Sequence, residues 1–146
     1  MSNFRKLSGS VLASPQISLA DLDAAKEEGV SLIICNRPDD EEPGQLNVPE
    51  IEAAAQERGM RVAHIPITHA GFSEPQIAAM NEALASADGK VLAYCRSGTR
   101  STLLWSLAQA AGGADPDAIA ASAAAAGYDV APVRPAMDML AARAGT

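Results

Sequence analysis

The side chains best suited to chemistry are concentrated in one short stretch, residues 95–100, which reads Cys-Arg-Ser-Gly-Thr-Arg. An apolar run precedes it, as is typical of a short buried strand, and a helical pattern follows from Ser101. A loop at a helix N-terminus presents backbone N–H groups to an anion, and basic neighbours there lower the pKa of a thiol. We therefore expect Cys95 to be a thiolate nucleophile near neutral pH.

The other residues of this loop have expected roles around the thiol. Gly98 permits a positive φ and leaves room for an anion. Arg100 can offer two parallel N–H donors to an oxyanion, and Ser101 is placed to cap the helix with a hydroxyl that also reaches the sulfur. The predicted catalytic residues are Cys95, Arg100 and Ser101. Substrate contacts are predicted for Arg96, Ser97, Gly98, Thr99, Arg37 and His69.

Each of these predictions has a simpler structural alternative. Cys95 could be a buried apolar residue beside an ordinary turn, as free cysteines commonly are. Arg37 could pair with the acidic run at residues 39–42 rather than face a substrate. Cys35 is expected to be a small core residue, with a resolving thiol as the less favoured alternative. No residue stands out as a general acid, for which His69, Asp39 and Glu74 are the candidates near the strand ends.

The composition excludes several other classes of function. A net charge of −7 and a pI near 4.7 argue against a nucleic-acid or anionic-membrane surface. Two cysteines and two histidines without a ligand spacing give no support for a metal site, and no cofactor is expected. The N-terminal residues lack the apolar core of a signal peptide, and the free cysteines fit a reduced compartment, so a cytoplasmic location is expected.

The elements that must position the loop alternate between strand and helix. We predict strands at residues 10–13, 30–35, 61–66 and 91–94, and helices at about 18–28, 49–58, 73–86, 101–111, 116–126 and 135–144. This order predicts an α/β fold, a mainly parallel sheet of about four or five strands flanked by helices, in a single domain over residues 1–146. The carboxyl ends of parallel strands share one edge, so the loops after residues 35, 66 and 94 should converge.

The loop resembles two known active-site loops, that of rhodanese and the Cys-x5-Arg loop of protein tyrosine and dual-specificity phosphatases. Four residues separate Cys95 from Arg100, which is the shorter, rhodanese-like count. Segments such as ISLADLDAAKEEGVSLIICNRPDDEEPGQ, VAHIPIT and VLAYCRSGTRSTLLWSLA are similar to the beta-lactamase-hydrolase-like phosphatase-like family. That resemblance implies a tyrosine-phosphatase-like fold, sulfur transfer or phosphatase activity, and a functional link to a persulfide dioxygenase.

Three functions are compatible with these observations. The favoured one is a sulfurtransferase, in which Cys95 carries a persulfide from a small anionic donor to a thiol acceptor or to cyanide. The first alternative is a phosphatase that forms a phosphocysteine on the same residue. The second is a non-catalytic module that binds anions or senses redox state. The shorter loop and the absence of a clear general acid in the sequence favour sulfur transfer.

Overall fold

Four parallel strands and one antiparallel strand form a five-stranded sheet in the computed structural model, which describes residues 3–145. The sheet order is β1-β2-β5-β3-β4, and only β1 runs antiparallel to its neighbour. The strands are β1 Arg5–Lys6, β2 Val11–Ser14, β3 Val30–Cys35, β4 Arg61–His64 and β5 Lys90–Tyr94. The helices are α1 Leu19–Glu27, α2 Val48–Glu57, α3 Glu74–Ser86, α4 Thr99–Ala111, α5 Pro116–Ala125 and α6 Arg134–Ala144, with a 3-10 turn at Ala131–Val133 before α6.

Helices cover both faces of the sheet because alternate strand residues point to opposite sides. Leu32, Ile34, Val91 and Ala93 belong to a large core cluster that also contains buried residues of α3 to α6. The residues between them, including Ile33 and Leu92, belong to a second cluster with buried residues of α1 and α2. The predicted α/β class and the mainly parallel sheet are therefore confirmed.

Local sequence signals account for most element boundaries. Ser18 caps α1, since its hydroxyl accepts from the Asp21 N–H and the Asp21 carboxylate accepts from the Ser18 N–H. Gly29 follows the helix with a φ of +91°, as expected for glycine at that position. Asp115 caps α5 with a single hydrogen bond, in which its carboxylate accepts from the Ala118 N–H at 3.2 Å.

The structure departs from the predicted elements in two places that matter for the site. The short edge strand β1 was not predicted, because two exposed residues show no alternation of apolar and polar types. Helix α4 begins at Thr99 rather than Ser101, with Gly98 as its N-cap residue. The prediction that Ser101 caps this helix was therefore wrong: left-handed Gly98 starts the helix two residues earlier. Within residues 3–145, every helix is too short or too polar to cross a bilayer.

Candidate active site

Three loops meet at the carboxyl edge of the parallel strands and enclose a polar pocket of about 460 Å³. Its lining comes from the loops that follow β3, β4 and β5, together with the start of α4, as the strand order predicts. The lining residues are Glu41, Thr68, His69, Arg96 and Arg100. Two of them are predicted substrate contacts, His69 and Arg96, and a third is the predicted catalytic arginine.

Cys95 is the first residue after β5 and is fully buried. Its backbone N–H donates to the Ser14 carbonyl at 3.3 Å, which ties the start of the loop to β2. Its sulfur accepts a hydrogen bond from the Gly98 N–H at 3.1 Å. Gly98 has a φ of +93°, so the backbone turns back over the sulfur and α4 starts directly after it. The thiol thus lies at the N-terminal end of a thirteen-residue helix, where the helix dipole favours negative charge.

Arg100 is held in place by two acceptors from other loops. Its two terminal nitrogens each donate to a different oxygen of Glu41 at 2.8 Å, a bidentate pair, and Nη1 also donates to the Ile67 carbonyl at 2.8 Å. The hydrogen bond to Glu41 raises the pKa of Arg100, burial opposes that rise, and the neighbouring Cys95 sulfur adds to it. The guanidinium therefore stays charged next to the thiol, with its planar fork fixed.

Glu41 also accepts a hydrogen bond from a second arginine, Arg37. The Nε of Arg37 donates to Glu41 at 2.9 Å, and its Nη1 donates to the Gln16 side chain at 2.9 Å. Arg37 is only 1 % exposed and also pairs with Glu42 at 2.9 Å. The hydrogen bond from Arg100 lowers the pKa of Glu41 to about 2, with Arg37 contributing and burial opposing. Arg37 therefore pairs with the acidic run and does not line the pocket itself; its connection to the pocket is the hydrogen bond to Glu41, which is a lining residue.

The remaining loop residues lie around the mouth or below it. Ser97 and Thr99 are exposed, and their hydroxyls are 3.0 Å apart in a hydrogen bond. Arg96 is 68 % exposed and its side chain approaches Glu42 at 3.5 Å. Ser101 is fully buried in the first turn of α4, and its hydroxyl has no hydrogen-bond partner among the described residues.

The three candidate general acids lie in different parts of the structure. His69 lines the pocket. Asp39 accepts from the Val48 N–H at 2.9 Å at the start of α2, and Glu74 pairs with Arg143 at 3.3 Å beside a different groove. Among these, only His69 is a lining residue of the pocket.

Four other reactive or aromatic side chains are buried or hydrogen-bonded within the structure, and among them Cys35 is the core residue that the sequence predicts. Cys35 lies in the core, 2 % exposed, and its thiol donates to the Arg37 carbonyl at 3.3 Å. His64 is partnered within the structure, with Nε2 2.9 Å from the same carbonyl. Trp105 is a core residue of α4. Tyr94 is fully buried, because its position at the end of β5 points its side chain into the second core cluster.

Sequence reasoning missed three residues that hold the site together. Glu41 was recognised only as part of an acidic run, and Gln16 was not singled out. Tyr128, which follows α5, donates its hydroxyl to the Ser97 carbonyl at 3.2 Å. The acidic run next to Arg37 was the one available signal, whereas nothing local connects residue 128 with residue 97.

The sequence is similar to one known protein family, both by its family model and by an individual relative. The family model described as "Beta-lactamase hydrolase-like protein, phosphatase-like domain" matches residues 3–114. A beta-lactamase hydrolase-like protein from Agrobacterium fabrum is 37% identical over 98 residues, which are 67% of this chain and 23% of that protein. The chain thus matches about a quarter of that relative's length.

Two solved structures illustrate the fold similarity. A candidate phosphatase from Neisseria meningitidis has a TM-score of 0.84 and 33% identity, and the match covers 96% of this chain and 99% of that one. A mouse candidate dual specificity phosphatase has a TM-score of 0.66 at 15% identity, covering 98% and 89%, which supports the fold alone. Since the family model spans well over half of the sequence, the chain belongs to the family of phosphatase-like domains of beta-lactamase hydrolase-like proteins.

Proposed function

We propose that this protein hydrolyses small phosphate monoesters through a phosphocysteine on Cys95. The observation that carries this proposal is the Cys95 sulfur at the N-terminus of α4, hydrogen-bonded to the Gly98 N–H and next to the Arg100 guanidinium. A thiol nucleophile and a positively charged guanidinium therefore lie next to each other beneath a polar pocket. The phosphatase-like family and the structural relatives support phosphate hydrolysis better than sulfur transfer. Phosphate hydrolysis therefore replaces sulfur transfer, which the sequence favoured, as the main proposal.

The reaction has two steps. The Cys95 thiolate attacks phosphorus, the P–O bond to the leaving alcohol breaks, and that oxygen takes up a proton. Water then attacks the phosphocysteine, the S–P bond breaks, and inorganic phosphate leaves with the thiolate restored. In both steps negative charge develops on the phosphoryl oxygens, where Arg100 and the loop N–H groups can stabilise it.

His69 is the proposed general acid for the first step. It lines the pocket, whereas Asp39 and Glu74 are engaged elsewhere. Glu41 also lines the pocket, but with a pKa of about 2 it is ionised at neutral pH and has no proton to give. An alkyl phosphate needs protonation of its leaving oxygen more than an aryl phosphate does. Replacement of His69 by Gln should therefore slow alkyl ester hydrolysis more than aryl ester hydrolysis.

The pocket lining indicates a small, polar substrate. The lining side chains are two guanidinium groups, an imidazole, a hydroxyl and a carboxylate, with no phenyl or indole ring to stack on a large apolar leaving group. We therefore expect better turnover of small polar phosphate esters than of phosphotyrosine peptides.

A second candidate is sulfur transfer, favoured by the four residues between Cys95 and Arg100. Here the thiolate attacks the outer sulfur of thiosulfate, the S–S bond breaks and sulfite leaves. A thiol acceptor, as its thiolate, then attacks the outer sulfur of the Cys95 persulfide, leaves as a new persulfide and restores the Cys95 thiolate. This route needs no general acid.

Mass spectrometry of the intact protein distinguishes the two candidates. The wild type is incubated with a phosphate monoester and, separately, with thiosulfate, and each adduct is located by peptide mapping. A phosphoryl group on Cys95 supports the main proposal, and an added sulfur atom supports the second. The matched controls are Cys95→Ser, which should lose adduct and turnover, and Cys35→Ser, which should retain both. Phosphate ester turnover that survives in Cys95→Ser would overturn the proposed mechanism.

A further inference from the structure

Tyr128 lies outside the segment that matches the family model, yet it contacts the cysteine loop directly. Its hydroxyl donates to the Ser97 carbonyl at 3.2 Å. The same hydroxyl lies against Gly98 so closely that a Cβ at that position would overlap it. The contact therefore joins the segment after α5 to the middle of the loop that binds the sulfur.

The peptide group held by Tyr128 is the one whose N–H reaches the sulfur. The Ser97 carbonyl and the Gly98 N–H belong to a single planar, trans peptide, so they point in opposite directions. On one side the carbonyl accepts from Tyr128, and on the other the N–H donates to Cys95 at 3.1 Å. Rotation of this peptide would break both hydrogen bonds. An accepted hydrogen bond at the carbonyl also polarises the peptide, which makes its N–H a stronger donor.

The position of Tyr128 is itself well supported. Its N–H donates to the Ala123 carbonyl at 2.9 Å, and Gly127 turns the chain with a φ of +95°. Arg5 of β1 donates to the Ala126 carbonyl at 3.2 Å, and the Tyr128 ring packs against the larger core cluster. Burial raises the pKa of Tyr128, Arg5 opposes this and Cys95 adds to it, so the phenol remains a protonated donor at neutral pH.

We infer that Tyr128 is a positioning residue, whose hydroxyl orients the 97–98 peptide so that the Gly98 N–H stabilises the Cys95 thiolate. This inference rests on the proposed role of Cys95 as the nucleophile. It assigns a function to the C-terminal part of the chain, beyond residues 3–114, where the family model does not extend.

The test measures thiolate reactivity directly and does not depend on the substrate. In a Cys35→Ser background, where Cys95 is the only thiol, the rate of alkylation by iodoacetamide is followed against pH. Tyr128→Phe keeps the ring and removes the hydroxyl. The variant loses the hydrogen bond that orients the 97–98 peptide, so the bond from the Gly98 N–H to the sulfur should weaken. We expect alkylation at pH 6–7 to slow by about three- to tenfold and the pH of half-maximal rate to rise. The kcat/KM for ester hydrolysis should fall by a similar factor.

Tyr94→Phe is the matched control, because the chain has only two tyrosines and Tyr94 is buried in the core on the other face. Its alkylation profile should overlay that of the parent. A Tyr128→Phe profile that also overlays the parent would overturn the inference, whatever the substrate. If the profile shifts but neither phosphate ester nor thiosulfate is turned over, the positioning role stands and the proposed function fails.

Discussion

Glu41 accepts hydrogen bonds from both the buried Arg37 and Arg100, and replacing it tests the arrangement of the site most directly. Glu41→Gln keeps the size of the side chain and removes its charge. Its carboxylate accepts from Arg100 and from Arg37, which is 1 % exposed, so loss of the charge leaves a buried guanidinium less well compensated. We expect the variant to be less stable at neutral pH and to bind substrate more weakly.

The size of the stability effect follows from the pKa of Glu41, which is lowered from 4.5 to about 2. At about 1.4 kcal/mol for each tenfold change in proton affinity, this corresponds to roughly 3 kcal/mol. The side chain is 28 % exposed, and solvent screening reduces the expected effect to about 1–2 kcal/mol. The folded-state pKa lies below the unfolded one, so this stabilisation is present above pH 4.5 and is lost as the pH falls towards 2.

The assay is urea denaturation of both proteins at several pH values between 7 and 2. Glu41→Gln should lose about 1–2 kcal/mol of unfolding free energy at pH 7, and the two proteins should converge near pH 2. Glu42→Gln is the comparison variant, since Glu42 pairs with Arg37 and Arg96 but not with Arg100. Its side chain is 44 % exposed, so Glu42→Gln should lose less stability than Glu41→Gln. A difference between wild type and Glu41→Gln that does not change with pH would refute the reasoning.

The same variant tests whether Glu41 orients Arg100 or competes with substrate for it. Because Arg37 also binds Glu41, we expect the Glu41 carboxylate to hold the Arg100 guanidinium in the orientation that binds substrate. The KM for a phosphate ester should therefore rise in Glu41→Gln. A lower KM would mean that Glu41 competes with the substrate for the guanidinium.

Three further predictions concern the cysteine loop and the helices α4 and α5. Gly98→Ala adds a Cβ that would overlap the Tyr128 hydroxyl, at a residue with a positive φ, so turnover should fall at least about tenfold. The control is Gly113→Ala, which has a similar φ but space for a Cβ, and it should leave turnover unchanged. Ser101→Ala removes a buried hydroxyl without a described partner, so urea denaturation should show a change below about 0.5 kcal/mol; a loss above about 1 kcal/mol would reveal a structural role. Asp115→Ala removes the cap of α5 and should cost about 1 kcal/mol in the same assay, and an unchanged midpoint would contradict the cap.

The elements of the fold were predictable where the signal is local. The apolar run of β3, the caps Ser18 and Asp115, and the glycine after α1 each act within a few residues of the chain. Strand and helix alternation then implied a parallel sheet, and the sheet placed three loops at one edge. The start of α4 was missed by two residues, because the hydroxyl of Ser101 made it the expected cap, whereas Gly98 begins the helix without any side-chain cap.

The sequence by itself determined the chemistry available to this protein: a thiol, a glycine turn and an arginine at the start of a helix. Only the tertiary structure decided how these groups are held. Glu41 and Arg37 fix Arg100 from the loop after β3, and Tyr128 fixes the 97–98 peptide from beyond α5. Such contacts join residues about 30 to 60 positions apart, and no local pattern encodes them, because they depend on how the packed helices bring distant loops together.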